Sequence, residues 1–207
     1  IMVLAFFTVP LLMIIWYNIG NYFYYNMNKR NFKLSRMNVS AVHAISVILS
    51  YLVGVPGHLL IYWSTTYYIM DTLYEFVNLY QPEKSVNLYE FGIVLHHFIS
   101  IFIIGYLPQP IIGNYIYQSF FLAEVSNLPM YLVYHLQKIG YTNNYVLKSI
   151  IFVEAMAYII CRLILCSKIA YDMFFRSDVS WAIWTSSVVI LIISAVWTIK
   201  LFKQLVR

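Results

Sequence analysis

The sequence predicts an all-helical, polytopic membrane protein of about seven transmembrane helices forming a barrel around a central cavity. Of its 207 residues, 62% are hydrophobic and 10% are charged, and the mean hydropathy is +0.73. A soluble domain is typically ~25% charged, so the composition indicates an integral membrane protein. Apolar runs near the ~20 residues that cross a bilayer as a helix recur along the whole chain. Ionisable residues lie within these runs at helical spacing, which indicates a shared polar interior.

Seven apolar segments are predicted as spans, and polar or helix-breaking residues separate them. They cover residues 2–22, 39–54, 58–80, 88–107, 111–136, 145–172 and 179–201. Pro56 follows the second segment and Pro108 follows the fourth, because proline does not continue a helix. No basic stretch precedes the first segment, so we expect a retained span rather than a signal peptide. The predicted organisation is a first helix over 1–28 and one membrane domain over 29–207.

The basic residues predict the orientation of the chain. Placing the linker after the first span in the cytoplasm puts ten basic residues inside and two, Lys168 and Arg176, outside. The ten are Lys29, Arg30, Lys33, Arg36, Lys84, Lys138, Lys148, Lys200, Lys203 and Arg207. Because cytoplasmic loops carry an excess of Lys and Arg, we expect a lumenal N-terminus and a cytoplasmic C-terminus.

The composition also argues against several chemistries. The net charge of +5 does not indicate nucleic-acid binding, because the basic residues lie between apolar segments rather than in one patch. Cys161 and Cys166 lie five residues apart and face different directions on one helical run, so no disulfide or metal site is predicted. Five histidines are too few for the histidine boxes of a membrane di-iron oxygenase. No tightly bound cofactor is expected.

Two adjacent histidines, His96 and His97, lie inside an apolar run. An ionisable group within a membrane is a functional hypothesis by default, because it is costly unless it is paired or hydrated. Adjacent helical residues point about 100° apart, so the two rings are expected to have separate roles. His97 shares a face with Glu90 and Ser100, which predicts that His97 faces the cavity and His96 a neighbouring helix. The alternative is that both histidines only pack against neighbouring carbonyl groups.

Three charged residues, Asp71, Glu124 and Arg162, are predicted deep inside spans. A charge at the bilayer centre costs roughly 2.5–3.5 kcal/mol on insertion scales, so each needs a partner or water. We expect Arg162 to pair with Glu124 or Asp71 across helices. Other polar residues follow at helical spacing: His43, Ser46 and Ser50; Ser64, Tyr67 and Asn78; Asn127 and Tyr131. The alternative is that these groups only hold neighbouring helices together through hydrogen bonds, each of which contributes ~0.6 kcal/mol to stability.

Five motifs, in this order, resemble the TLC-domain family, which includes ceramide synthases, translocating-chain-associating membrane proteins and smaller lipid-related members. They are a basic linker leading to residues 40–44 (SAVHA), residues 67–71 (YYIMD), the doublet at 96–97, residues 124–130 (EVSNLPM) and residues 152–162. The resemblance spans roughly residues 29 to 203. It implies a TLC-type helical barrel around a membrane cavity, a location in the endoplasmic reticulum and a function in lipid metabolism.

The chain departs from ceramide synthases downstream of the doublet. Those enzymes carry a second histidine-aspartate motif, whereas this sequence has Glu124-Val125 at that distance and lacks the second aspartate. The resemblance is therefore closer to the small members of the family that carry a glutamate there. Ceramide synthesis itself is not what the sequence indicates.

Three functions remain open. In the first, His96 and His97 act as base or nucleophile in acyl transfer to a lipid, with acyl-CoA as the co-substrate. Asp71 or Glu124 would orient the ring or stabilise its charged form. The cavity-lining residues would be His43, Tyr67, Ser100, Glu124, Asn127, Tyr131 and Arg162. The second function is a non-enzymatic lipid-binding regulator of membrane composition. The third is a proton-coupled transporter, which is disfavoured because no internal repeat or pair of broken helices is present.

Overall fold

The computed structural model describes residues 2–27, 31–79 and 88–206, and it describes the backbone alone at residues 2–7, 32, 58, 77–79, 88–90 and 206. Its regular structure consists of seven continuous helices, which confirms the all-helical prediction for the described residues. They are α1 (Met2–Tyr22), α2 (Phe32–Leu52), α3 (Gly57–Leu79), α4 (Leu88–Ile104), α5 (Ile112–Lys138), α6 (Asn144–Phe174) and α7 (Trp181–Val206). Each helix corresponds to one predicted span.

Two helices contain π-helical turns. One such turn, Phe23–Met27, continues α1 beyond Tyr22. The other, Tyr158–Leu165, lies in the middle of α6 between α-helical parts that cover Asn144–Ala157 and Cys166–Phe174. Turns of this kind are frequent at functional sites. The turn in α6 contains Arg162, one of the charges predicted to be buried.

Helix α2 begins seven residues earlier than the sequence predicts. The side chain of Asn31 caps it by accepting a hydrogen bond from the backbone N–H of Leu34 at 3.0 Å. The prediction that Lys33 and Arg36 belong to a linker is therefore wrong, because both lie in the first turns of α2. Four other basic residues of the charge count, Lys29, Arg30, Lys84 and Arg207, lie outside the described residues.

Glycines shape two of the connections. Gly140, just after α5, has a φ of +79°, the left-handed conformation with which helices commonly end. Gly113, in the first turn of α5, approaches the preceding turn closely. A Cβ atom there would lie 2.2 Å from the backbone oxygen of Leu107. These residues allow α5 to follow α4 and α6 to follow α5 through short turns.

Six of the helices follow one another around a ring. The order of packed neighbours is α2, α3, α4, α7, α6, α5 and back to α2, and α1 packs outside the ring on α3 and α2. Helices α3 and α5 also contact each other across the ring, so the side of the ring next to α2 is filled. Within the described residues, α4 and α5 are joined by a turn but do not pack along each other. Space therefore remains in the half bounded by α4, α5, α6 and α7.

An aromatic and aliphatic core begins at α1 and continues across the ring to α4, α5 and α7. Trp16 of α1 is fully buried, and its ring lies 4.2 Å from that of Trp63 and 5.4 Å from that of Tyr67, both on α3. The Trp16 indole N–H donates to the backbone oxygen of Trp63 at 3.2 Å. Further buried apolar residues include Val39, Tyr68, Ile103, Ile104, Leu107, Ile112, Ile116 and Ile183. This packing fixes α1 against the ring.

Within the described part of the chain, two helices are long and apolar enough to cross a bilayer, Asn144–Phe174 and Trp181–Leu205. A shorter apolar helix covers Phe91–Ile104. Large apolar side chains are exposed on these helices, for example Phe98 (56%), Ile164 (57%) and Ile192 (59%). By length and composition, the structure thus contains two candidate membrane-spanning helices. The division into residues 1–28 and 29–207 remains a prediction.

Candidate functional site

A cavity of about 760 Å³, including its open mouth, lies between α4, α5, α6 and α7, with Tyr68 of α3 on its wall. The side chains at one end are polar: His96, Glu124, Asn127, Arg162 and Ser194. The side chains at the other end are mostly apolar and include Ile103, Ile116, Ala170, Met173 and Ile190. The seven residues from His96 to Ile103 represent roughly 10 Å along a helix axis. The cavity is therefore an elongated space with one polar and one apolar end.

His96 lies at the polar end of this cavity. Its Nδ1 atom is buried and has no hydrogen-bond partner within the described part of the chain. The ring contacts that of Trp197 on α7 edge-to-face, with centroids 5.5 Å apart. A buried polar atom without a partner is rare in proteins and calls for an explanation. A ligand in the cavity would provide one, because Nδ1 could accept a proton or a hydrogen bond from it.

His97 is directed away from the cavity and towards α3. Its Nε2 lies 3.3 Å from Oδ2 of Asp71, and its Nδ1 lies 3.2 Å from the hydroxyl of Thr72. The Thr72 hydroxyl donates its single proton to the backbone oxygen of Tyr68 at 2.7 Å, so towards Nδ1 of His97 it is an acceptor. The prediction that His97 faces the cavity and His96 a helix is therefore wrong. The side chain of Glu90, on which that prediction relied, lies outside the described residues.

Asp71 has an ion-pair partner that the sequence analysis did not identify. Nε of Arg36 donates to Oδ1 of Asp71 at 2.8 Å, and the same guanidinium contacts the carboxylate of Glu75 one turn further along α3. Asp71 and Glu75 are 3% and 2% exposed. Buried charges require partners of this kind. Asp71 and His97 thus belong to a packed polar cluster between α2, α3 and α4, rather than to the cavity wall.

A second polar row joins α2, α3 and α5. Its order is Ser64, His43 and Glu124, because the Ser64 hydroxyl lies 3.0 Å from Nε2 of His43 and Nδ1 of His43 lies 3.4 Å from Oε1 of Glu124. Hydroxyl, imidazole and carboxylate follow each other in this order in serine hydrolases. Here, however, Ser64 is 1% exposed and does not line the cavity. The row holds Glu124 in place instead of presenting a nucleophile.

Glu124 reaches the cavity and accepts hydrogen bonds from three sides. Besides His43, its donors are the Tyr68 hydroxyl at 3.4 Å and the Asn127 amide at 3.2 Å. Three donors stabilise a carboxylate in its ionised form. The polar end of the cavity therefore contains a fixed negative charge on α5.

Arg162 provides the balancing positive charge, but it contacts none of the described carboxylates. Within the described residues it donates to neutral acceptors: the Ser126 hydroxyl at 2.8 Å, Oδ1 of Asn127 at 2.9 Å and the backbone oxygen of Ala123 at 3.1 Å. The prediction of direct pairing with Glu124 or Asp71 is thus wrong. Asn127 bridges the two charges instead, because its amide donates to Glu124 while its oxygen accepts from Arg162.

The remaining predicted residues divide between cavity and core. Ser100 lines the cavity. Tyr67 is buried in the core, donates to the Ser40 hydroxyl at 2.9 Å and stacks on the His43 ring at 3.9 Å. Tyr131 is half-buried on α5 and is not part of the cavity wall. The side chain of Asn78 lies outside the described residues. Of the ten predicted site residues, five line the cavity: His96, Ser100, Glu124, Asn127 and Arg162.

Sequence reasoning missed Arg36, although a signal was present. Arg36, Ser40 and His43 recur at spacings of four and three, which places Arg36 on the polar face of α2. Tyr158 was missed as well. It lies four residues before Arg162, its ring lies 4.7 Å from the guanidinium carbon, and its hydroxyl donates to Asn127. Neither residue could be assigned a partner before the helix order was known.

The described residues include no group of three or more His, Cys, Asp or Glu side chains that could hold a metal ion. Cys161 and Cys166 are both free thiols. Cys166 lies on the cavity wall, with its sulfur 3.8 Å from the backbone oxygen of Ser119. The chemistry available in this cavity is therefore that of imidazole, carboxylate, guanidinium, hydroxyl and thiol groups.

Comparisons with protein-family models, with curated proteins and with solved structures give no match to this chain.

Proposed function

We propose that this chain is a multi-pass membrane protein of lipid metabolism that binds an acyl chain in the cavity and transfers it to a lipid acceptor. The observation that carries the proposal is the position of His96 in the cavity. Its buried Nδ1 has no hydrogen-bond partner among the described residues, and it lies at the polar end of a cavity whose other end is mostly apolar. An acyl group is divided in the same way, because it consists of an apolar chain with a polar carbonyl group at one end. Ligand sites generally combine an apolar wall with a few placed polar groups.

His96 is the group we assign to the chemistry. Its neutral imidazole takes the proton from an acceptor hydroxyl or amine as that atom attacks the carbonyl carbon of an acyl thioester. The carbon–sulfur bond breaks, and the thiol leaves with the proton that His96 returns. Acyl-CoA is the donor class that supplies such a thioester, and membrane lipids supply the acceptor. Arg162 and Glu124 line the same end and are suited to orient the polar groups of the two substrates.

The proposal includes a TLC-type barrel in the membrane of the endoplasmic reticulum, with a lumenal N-terminus and a cytoplasmic C-terminus. The ring of six helices, the two candidate spans and the exposed apolar side chains support this assignment. The charge count still supports the orientation after the correction to α2, because Lys33 and Arg36 lie at the end of α2 that follows the basic linker.

The experiment is thiol release from acyl-CoA by purified protein in lipid nanodiscs that contain candidate lysolipid, sterol and sphingoid acceptors. We expect His96→Ala to lower turnover by about 10²–10⁴-fold, the usual contribution of a general base. His135→Ala is the matched control, because His135 lies in the last turn of α5 and not on the cavity wall.

Equal turnover by His96→Ala and the wild type would remove this residue from the chemistry. Acyl-chain binding without any turnover in the wild type would favour the lipid-binding regulator instead. Absence of both binding and turnover would contradict the proposal as a whole.

A further inference from the structure

The apolar end of the cavity is closed by buried side chains. The wall residues farthest from the polar end on α4, α5 and α6 are Ile103, Ile116, Ala170 and Met173, and all four are buried. They lie at the end of the bundle where α4 is followed by α5 and α6 is followed by α7. The cavity is therefore blind at this end.

A packed core lies beyond the blind end. Leu107 is in the turn after α4, Ile112 is the first residue of α5, and Ile183 is in the first turn of α7. All three are buried, and they belong to the same hydrophobic cluster as Ile103 and Ile116. Because protein interiors are close-packed, a ligand cannot extend past this end without displacing the core.

The spacing of the wall residues gives the depth of the cavity. On α5 the wall extends from Asn127 to Ile116, eleven residues that correspond to roughly 16 Å along a helix axis. On α7 it extends from Ser194 to Ser187, seven residues that correspond to roughly 10 Å. An extended chain covers roughly 3.5 Å per residue, or about 1.2 Å per bond. The depth therefore matches an extended acyl chain of about 9–14 carbon atoms.

We propose that the cavity selects medium-chain acyl groups, of about 9–14 carbon atoms, and that Ala170 and Met173 set the upper limit. This inference rests on the proposed binding of an acyl chain and adds the class of chain. Each methylene group that enters the cavity is removed from water and strengthens binding, until the chain reaches the blind end. A palmitoyl chain is longer than the cavity, so its last carbon atoms gain nothing there.

Two substitutions change the depth in opposite directions. Met173→Ala removes the unbranched end of a buried side chain and leaves space for about three further carbon atoms. Ala170 lies one turn earlier on the same face of α6, and Ala170→Leu places a larger side chain in the cavity. Met173→Ala should therefore raise the length limit and Ala170→Leu should lower it.

The test measures how well octanoyl-, lauroyl- and palmitoyl-CoA displace a fluorescent lauric acid analogue from the purified protein in lipid nanodiscs. Thiol release is recorded in parallel. Each affinity is divided by that of the wild type for the same chain, because longer chains also partition more strongly into the lipid. The controls are Met156→Ala on α6 and Ala182→Leu on α7, since neither residue is buried and neither lines the cavity.

We expect Met173→Ala to gain at least about tenfold in affinity for palmitoyl-CoA relative to lauroyl-CoA. Ala170→Leu should lose at least about tenfold for lauroyl-CoA and retain octanoyl-CoA, while the controls keep the preference of the wild type. If one test variant does not fold, the other decides. A length preference that neither variant changes would overturn the proposal.

The parallel recording of thiol release separates this inference from the proposed acyl transfer. Length-limited binding without thiol release would contradict the transfer and support the selection of medium chains. Thiol release without any length limit would support the transfer and overturn the selection. Absence of binding by all three acyl-CoA probes would overturn both.

Discussion

Arg36 of α2 and Asp71 of α3 form an ion pair inside the helix bundle, with Nε and Oδ1 2.8 Å apart and the second terminal nitrogen 3.5 Å from Oδ2. The pair explains how an aspartate can lie in the middle of an apolar helix. It also gives Arg36 a structural role, whereas the sequence analysis used Arg36 only as one of the basic residues that predict the orientation of the chain. Through Asp71 the pair extends to His97 and therefore joins three helices.

The first prediction concerns this ion pair. Arg36→Ala should lower the free energy of unfolding by about 3–5 kcal/mol, because it leaves the carboxylates of Asp71 and Glu75 buried without their partner. Arg176→Ala is the matched control, since its pair with Asp178 is solvent-exposed and should contribute much less to stability. Chemical unfolding in detergent measures both values. Similar losses of unfolding free energy in the two variants would show that the buried pair contributes no more to stability than the exposed pair.

The second prediction concerns the bridge through Asn127. Arg162→Met should destabilise the protein by about 1–3 kcal/mol, because the Ser126 hydroxyl loses its donor and the Asn127 oxygen keeps only the one from Tyr158. Adding Glu124→Gln should recover part of the loss, because the uncompensated negative charge disappears. A double-mutant cycle measures the coupling, for which we expect about 0.5–3 kcal/mol.

The control for this cycle pairs Arg162→Met with Glu154→Gln. Glu154 is a buried glutamate on the same helix, but the described contacts of Arg162 do not include it. Its effect should therefore add to that of Arg162→Met without coupling. Additive behaviour in the Glu124 cycle as well would mean that Asn127 does not transmit the charge interaction.

The third prediction separates the two histidines by stability. His97→Ala should cost about 1–3 kcal/mol, because Asp71 and Thr72 each lose a buried hydrogen-bond partner. His96→Ala should leave the unfolding midpoint close to that of the wild type, since its Nδ1 has no such bond to lose. Thermal unfolding of the two purified variants gives the comparison. A larger loss of stability in His96→Ala than in His97→Ala would show that His96, rather than His97, supports the fold.

The fourth prediction concerns the apolar end of the cavity. Ile190→Trp should lower the occupancy of a bound acyl chain at least tenfold, because the larger ring occupies space on the cavity wall. Ile192→Trp is the control, since Ile192 lies two residues further along α7 and is 59% exposed. Quantitative mass spectrometry of co-purified lipids measures the occupancy. Unchanged occupancy in Ile190→Trp would place the chain elsewhere.

The fifth prediction concerns orientation. In a background in which Cys161 and Cys166 are replaced by alanine, Tyr145→Cys at the start of α6 should react with a membrane-impermeant maleimide in sealed microsomes. Asp178→Cys, between α6 and α7, should react only after the membrane is permeabilised. Tyr145 is 89% exposed, so its accessibility to the reagent is not limited by packing. The opposite pattern of labelling would invert the proposed orientation.

The sequence alone determined the helices and the polar character of their interior. Apolar run length and proline or glycine breaks are local properties, and they placed most helix ends within a few residues of those observed. The start of α2 was missed because Asn31 caps a helix whose first turns are basic, and basic residues next to a span resemble a linker. The burial of Asp71, Glu124 and Arg162 also followed from position within an apolar run.

Tertiary structure decided which buried groups meet. Helical periodicity gives the relative directions of His96 and His97 but not which direction leads to the cavity, because this depends on where α3 and α7 lie around α4. The packing order places α3 beside His97 and leaves His96 at the open space. The partner of Asp71 was likewise decided by the approach of α2 to α3, which brought Arg36 closer than Arg162. Charge pairing depends on distances between helices, and those distances are set by packing across residues far apart in the sequence.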